Sequence, residues 1–160
     1  MASEPEIVFY HAPQTRAAIV HWMLEEAGAP YRLQLLDLKK GEHKAAGYLA
    51  VNPMGKVPAL AHGDVVITEA AAICCYLADL FPDARLAPPI GDRRRGPYLK
   101  WLFFGPGCLE PAILDRMLER DSGPPGRVGY GSFDAMLDVV AKAVARGPYL
   151  PVRRSPRPTW

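Results

Sequence analysis

Apolar and polar positions follow two different rhythms along this 160-residue chain, and the change falls near residue 90. In the first half, short apolar runs alternate with helical stretches. Ile7-Val8-Phe9-Tyr10 predicts a buried strand, and residues 11–15 predict a loop. Arg16 to Ala27 predicts a helix with Ile19, Met23 and Ala27 on one face and Val20 beside them, closed by Gly28 and Pro30. Tyr31 to Leu36 predicts a second strand, alternating at Tyr31, Leu33 and Leu35. A polar loop over Asp37 to Lys44 and a short helix over Ala45 to Ala50 follow. Pro53 and Gly55 punctuate a tight turn that delivers the chain into a third strand, Ala59-Leu60-Ala61. His62-Gly63-Asp64 predicts a hairpin turn into a fourth, Val65-Val66-Ile67. Thr68 is then expected to cap a helix running to about Phe81. Glu69 falls in its first turn, where the dipole favours an anion, and Ile73, Leu77 and Leu80 point inward. The order βαβαββα describes a small α/β unit of about 80 residues.

Past a linker at 82–92 no strand pattern survives. Gly96 to Arg120 reads as helical, with Trp101, Leu102, Leu109, Ile113, Leu114 and Met117 apolar. Gly105-Pro106-Gly107 is expected to kink or break that helix. After a Gly/Pro loop, Ser132 is expected to cap a last helix through Ala145, with Leu137, Val140 and Val144 as one face. The expected organisation is an α/β domain at 1–81, the linker, an all-helical part at 93–150 and an irregular Pro/Arg-rich tail at 151–160.

Composition narrows the function classes. Hydrophobic residues make up 49% of the chain, enough for a core. The formal charge is +2 and three positive charges, Arg153, Arg154 and Arg157, sit in the tail, so the remainder is near neutral. No basic face points to nucleic acid, and Arg93-Arg94-Arg95 reads as a solvated helix start. Three cysteines, two of them adjacent, do not make a disulfide framework and favour a reducing, cytoplasmic compartment. No apolar run is long enough to span a bilayer, no leader pattern opens the chain, and no metal site is expected.

The chemistry centres on Asn52-Pro53-Met54-Gly55-Lys56-Val57-Pro58. Pro58 cannot donate to a ladder, which leaves two readings: an ordinary edge-strand proline, or a cis Val57–Pro58 bond. In the second, the main-chain groups of Val57 are held out of the sheet, free for strand-like pairing with a small peptide.

Four segments together resemble the cytosolic glutathione transferases: Trp22 to Gly28, Gly41-Glu42-His43-Lys44, Asn52 to Leu60, and Ile67-Thr68-Glu69-Ala70-Ala71-Ala72-Ile73. The resemblance is strong over residues 6–81 and weak beyond. It implies a thioredoxin-like first domain followed by an all-α domain, here incomplete, and a cis bond before Pro58. It implies attack of the glutathione thiolate on a small electrophile, with glutathione as co-substrate, no metal, and a homodimeric assembly. Val57 and Pro58 are then expected to present main chain to the glutathione cysteine. Glu69 and the helix start at Ala70 are expected at the γ-glutamyl end, and His43, Lys44 and Lys56 at the glycine carboxylate. Cations for carboxylates, a carboxylate for the free amine and helix N–H groups for an anion fit this chemistry independently.

The chain departs from the family pattern in three places. Where many relatives have Ser after the glutamate, Ala70 offers no side-chain hydrogen bond. Where serine-type relatives place the thiol-activating Ser, four residues before the arginine that Arg16 matches, stands Ala12. That leaves Tyr10, whose other role is core packing, and Thr15, whose other role is helix capping, as candidate catalytic hydroxyls. Cys74 and Cys75 fall mid-helix and read as packing. Third, after Gly147-Pro148-Tyr149-Leu150 relatives continue into a capping box and a further helix, whereas residues 151–160 have no periodicity. One back-translation of that tail reads Gly-Ala-Ala-Phe-Thr-Ala-Ala-Asp-Val in another frame, and a frameshift that removed the last helices is the expectation. Uncovered apolar helix faces are expected to follow. Two other functions stay open: a non-catalytic module of the same fold binding glutathione or apolar ligands, and a glutathione-dependent isomerase or dehalogenase.

Overall fold

The computed structural model describes residues 6–145, 147 and 150. The chain divides into two compact units, the break lying between Ala87 and Pro88. The tail at 151–160, with its expected irregularity, lies outside the described residues.

The first unit is built on a four-stranded mixed sheet in the order β2-β1-β3-β4. The strands are β1 (Ile7–His11), β2 (Arg32–Leu35), β3 (Ala59–His62) and β4 (Val65–Thr68). The βαβ crossover makes β1 and β2 parallel, with Val8 opposite Arg32, while β3 runs antiparallel to both of its neighbours. The two-residue Gly63-Asp64 loop closes the β3–β4 hairpin, Gly63 taking φ 62°. Helices α1 (Ala17–Ala27) and α3 (Ala70–Leu80) pack on each other, and α2 (Ala46–Leu49) is a single turn. This is the βαβαββα order read from the sequence.

Phe9, Val20, Leu24, Leu60, Ile73 and Leu77 form the fully buried centre. Here the expected helix face needs correction. In α1 the buried residues are Ala17, Val20 and Leu24, and Ile19 is 56% exposed. Ala17, Val20 and Leu24 repeat at i, i+3 and i+7, and this stripe, which includes the Val20 already placed beside the expected face, is the buried one. The expected inward alternation of β2 also fails: Leu33 and Leu35 are exposed, because β2 is an edge strand. In α3, Ile73 and Leu77 are buried as read, but Leu80 at the last turn is exposed.

The second unit contains α4 (Arg95–Phe104), α5 (Glu110–Met117) and α6 (Phe133–Val144). The Gly105-Pro106-Gly107 interruption is absorbed as a π-helical turn over Gly105–Leu109, which lets the helix pass a proline that cannot donate. Ser132 caps α6, its Oγ accepting from the Ala135 amide at 3.2 Å. The buried residues of α6 are Met136 and Ala143; Leu137 and Val144, expected on the inner face, are nearly half exposed.

Candidate functional site

The ladder register places four chain segments at one end of the first unit's sheet. Tyr10 lies opposite Ala59, and Ala59 opposite Thr68. Because β3 is antiparallel to β1 and β4, His11, Pro58 and Glu69 each stand one residue further along, at the same sheet end. The N-terminus of α3 opens there too.

The Val57–Pro58 peptide is cis. Among the described residues, no hydrogen bond reaches the main-chain N–H or C=O of Val57. The preceding carbonyl is held firmly instead. The Lys56 C=O accepts from the Tyr48 hydroxyl at 2.5 Å and from Asn52 Nδ2 at 2.8 Å. Asn52, itself buried, accepts the Met54 N–H on its Oδ1 at 3.1 Å. Gly55 turns the chain at φ 60°, and a Cβ there would stand 2.7 Å from the His43 carbonyl and 2.8 Å from Lys44 Nζ. Only glycine therefore lets the 42–44 turn dock on this segment. Lys44 Nζ donates to the Met54 carbonyl at 3.1 Å, so it closes this contact as well as lending charge. His43 is half-buried, and its Nδ1 has no partner among the described residues. Lys56 is exposed.

At the other side of the sheet end, Thr68 does not cap α3. Its pairing with Ala59 keeps it in β4, and the turn into the helix is compressed into Glu69, the N-cap residue, at φ 68° and ψ 119°. No side chain caps this end, so the first N–H groups of α3, beginning at Ala70, remain open to a ligand. A left-handed φ at a non-glycine residue costs of order 1–3 kcal/mol and persists where the surroundings over-determine it. Glu69 is exposed, with its backbone set beside the helix start.

The two candidate hydroxyls differ. Thr15 Oγ1 donates to the Ala12 carbonyl at 2.7 Å and accepts the Ala17 amide at 3.2 Å, stapling the loop after β1. Gln14 in that loop also takes a positive φ of 57°. Tyr10 packs with Val57 against a cluster of Leu36, Tyr48 and Ala59, its ring centroid 5.5 Å from that of Tyr48. Among the described residues its hydroxyl has no hydrogen-bond partner. His11, on the opposite face of β1, is buried with an unpartnered Nδ1 beside His21. Burial, then the neighbouring His21, push its pKa down.

Sequence reasoning missed Tyr48 and gave Asn52 no role. Their spacing of four on either side of a helix end is the one signal available. Cys74, Cys75 and Cys108 are all free thiols. Burial pushes Cys74 up to about 11, which suits packing and not nucleophilic work. No helix among the described residues is long and apolar enough to cross a membrane.

Residues 5–79 match the family model of the glutathione S-transferase N-terminal domain. A probable glutathione S-transferase of Oryza sativa subsp. japonica is 56% identical over 55 residues, 34% of this chain and 26% of that protein. The matched stretches span half or less of the curated relatives' own length. The solved glutathione transferase of Methylococcus capsulatus superposes with a TM-score of 0.69 at 32% identity, covering 90% of this chain and 72% of that one. A glutathione transferase homolog from Sulfitobacter, solved with bound glutathione, gives 0.69 at 26% identity, covering 91% and 73%. Thioredoxin-like sheet, helical second unit and sequence match agree, and the chain belongs to the glutathione S-transferase family.

Proposed function

We propose that this protein binds glutathione at the sheet end and transfers its thiolate to small electrophiles. The observation that carries the proposal is the free main chain of Val57, set between a cationic turn and an anionic helix start. A γ-linked tripeptide carries a matching set of groups: a peptide backbone in the middle, a carboxylate at the glycine end, and an ammonium with a carboxylate at the other. Val57 pairs with the cysteine main chain, and Pro58 leads directly into β3. His43, Lys44 and Lys56 meet the glycine carboxylate. Glu69 takes the ammonium, and the open N–H groups from Ala70 take the γ-glutamyl carboxylate. The absence of a serine hydroxyl at Ala70 weakens that end by roughly one hydrogen bond to a charged group, ~1.5–3 kcal/mol.

Activation of the thiol needs a donor to the developing thiolate. Thr15 has its proton on the Ala12 carbonyl, whereas Tyr10 has an unengaged hydroxyl next to Val57's cluster. Tyr10 is therefore the stabilising donor, and Thr15 shapes the loop. The proposed setting is a homodimer in a reducing, cytoplasmic compartment, consistent with three free thiols.

The test is steady-state conjugation of glutathione to an aryl halide by wild type, Tyr10→Phe and Thr15→Ala. Tyr10→Phe is expected to lower kcat and raise the pH of half-maximal thiolate formation. Thr15→Ala is expected to act mainly on stability. A wild-type rate equal to the buffer rate, with glutathione still retained on the protein, supports instead the non-catalytic binding module.

A further inference from the structure

Tyr48 lies in α2, outside every segment given a role in the glutathione site, yet it is 5% exposed and ends in a polar contact with one. Its ring belongs to the cluster that packs α2 against the sheet, in contact with Tyr10 and sharing neighbours with Val57. Its hydroxyl donates to the Lys56 carbonyl, the oxygen of the same peptide unit that carries the Val57 N–H. Asn52 donates to the same oxygen from the other residue of the turn, and its Oδ1 is committed to Met54 N–H, which fixes the amide's orientation. Two donors on one carbonyl fix the plane of the Lys56–Val57 peptide, and that plane carries the Val57 N–H.

We infer that Tyr48 and Asn52 are positioning residues of the glutathione site, which set the direction of the Val57 amide by clamping the Lys56 carbonyl. The inference rests on the reading that Val57 pairs with glutathione. The clamp has a reason to exist on that reading: a main-chain group left out of the sheet has no ladder to orient it. A peptide ligand loses less freedom on binding to an amide already held in place. Tyr48 also transmits the sheet's packing directly to that amide, since the same side chain is core at its ring and hydrogen-bonded at its tip.

Two variants separate positioning from packing. Tyr48→Phe keeps the ring and removes the donor. Asn52→Asp is isosteric but turns a donor into an acceptor facing the Lys56 carbonyl oxygen. The full chain is titrated with glutathione by calorimetry, and the order parameter of the Val57 amide is read by ¹⁵N relaxation without ligand. Tyr130→Phe, which removes a hydroxyl donor to Asp115 in the second unit, serves as the control for generic loss of a hydrogen bond. Tyr48→Phe is expected to raise the Kd for glutathione roughly tenfold. Asn52→Asp should raise it further, Tyr130→Phe should leave it unchanged, and the Val57 order parameter should fall in the first two variants only. In turnover, KM for glutathione rises and kcat at saturation holds. Wild-type affinity in Tyr48→Phe overturns the inference. If wild type itself does not bind glutathione, the functional reading fails, and the relaxation data still decide the clamp: an unchanged Val57 order parameter in both variants overturns it.

Discussion

Replacing Glu69 tests strain and function at once, because the residue bears a backbone cost and a proposed ligand role that point in opposite directions. Its φ of 68° lies in the left-handed region, where a side chain costs of order 1–3 kcal/mol. Glycine relieves that, but loses about 0.5–1 kcal/mol through its freer unfolded chain. Glu69→Gly is therefore expected to gain about 1 kcal/mol, a rise in Tm of roughly 2–8 °C across the relevant domain sizes. Glu69→Gln keeps the backbone and should leave Tm unchanged. Both variants lose the carboxylate proposed to hold the ammonium of glutathione. The group is exposed, so screening keeps that loss near 1 kcal/mol, about fivefold in Kd. Thermal unfolding and calorimetric titration of the three proteins give the result. A Glu69→Gly variant that is less stable than wild type refutes the strain argument. One that binds glutathione as tightly as wild type refutes the ligand role.

Gly55→Ala places a methyl group 2.7 Å from the His43 carbonyl at a positive φ, so it should cost about 1–3 kcal/mol and weaken glutathione binding together, read by urea unfolding and titration. His11 titrates below its ordinary 6.5 because it is buried and lies beside His21. Its neutral form is the one that folds, so the contribution is fully present above about pH 6.5 and is lost as the pH falls through the lowered folded value. Urea midpoints measured from pH 7.5 downward should drop across that window in wild type and drop less in His11→Gln; parallel curves would count against the assignment.

Much of this was legible in the sequence where local rules act alone. The strands at Ile7 and Ala59, the hairpin at Gly63, the end of α1 at Gly28 and the cap at Ser132 each follow from turn chemistry and apolar runs. Errors arose where tertiary pairing chose between local options. Ile19 and Met23 share a periodic apolar face with Ala27, yet packing rotates α1 so that Ala17, Val20 and Leu24 are the residues it buries. Thr68 is a good N-cap by type, but its ladder partner Ala59 keeps it extended and pushes the cap onto Glu69. Leu33 and Leu35 alternate as in a half-buried strand, and only the strand order shows that β2 is an edge. For the site, the motif residues came from resemblance, while the clamp on Lys56 depends on a tyrosine that no motif marks.

The convergence of His11, Pro58 and Glu69 at one sheet end has a thermodynamic corollary. These residues meet only when β3 has paired with β1 across about fifty intervening residues, a long-range closure. No part of the chain short of that closure offers the complete set of contacts. On the proposed function, glutathione bound there would select the folded state and stabilise it by mass action, about 2.7 kcal/mol at a hundredfold excess over Kd. The persistence of this fold in a cell would then be coupled to the size of the thiol pool around it.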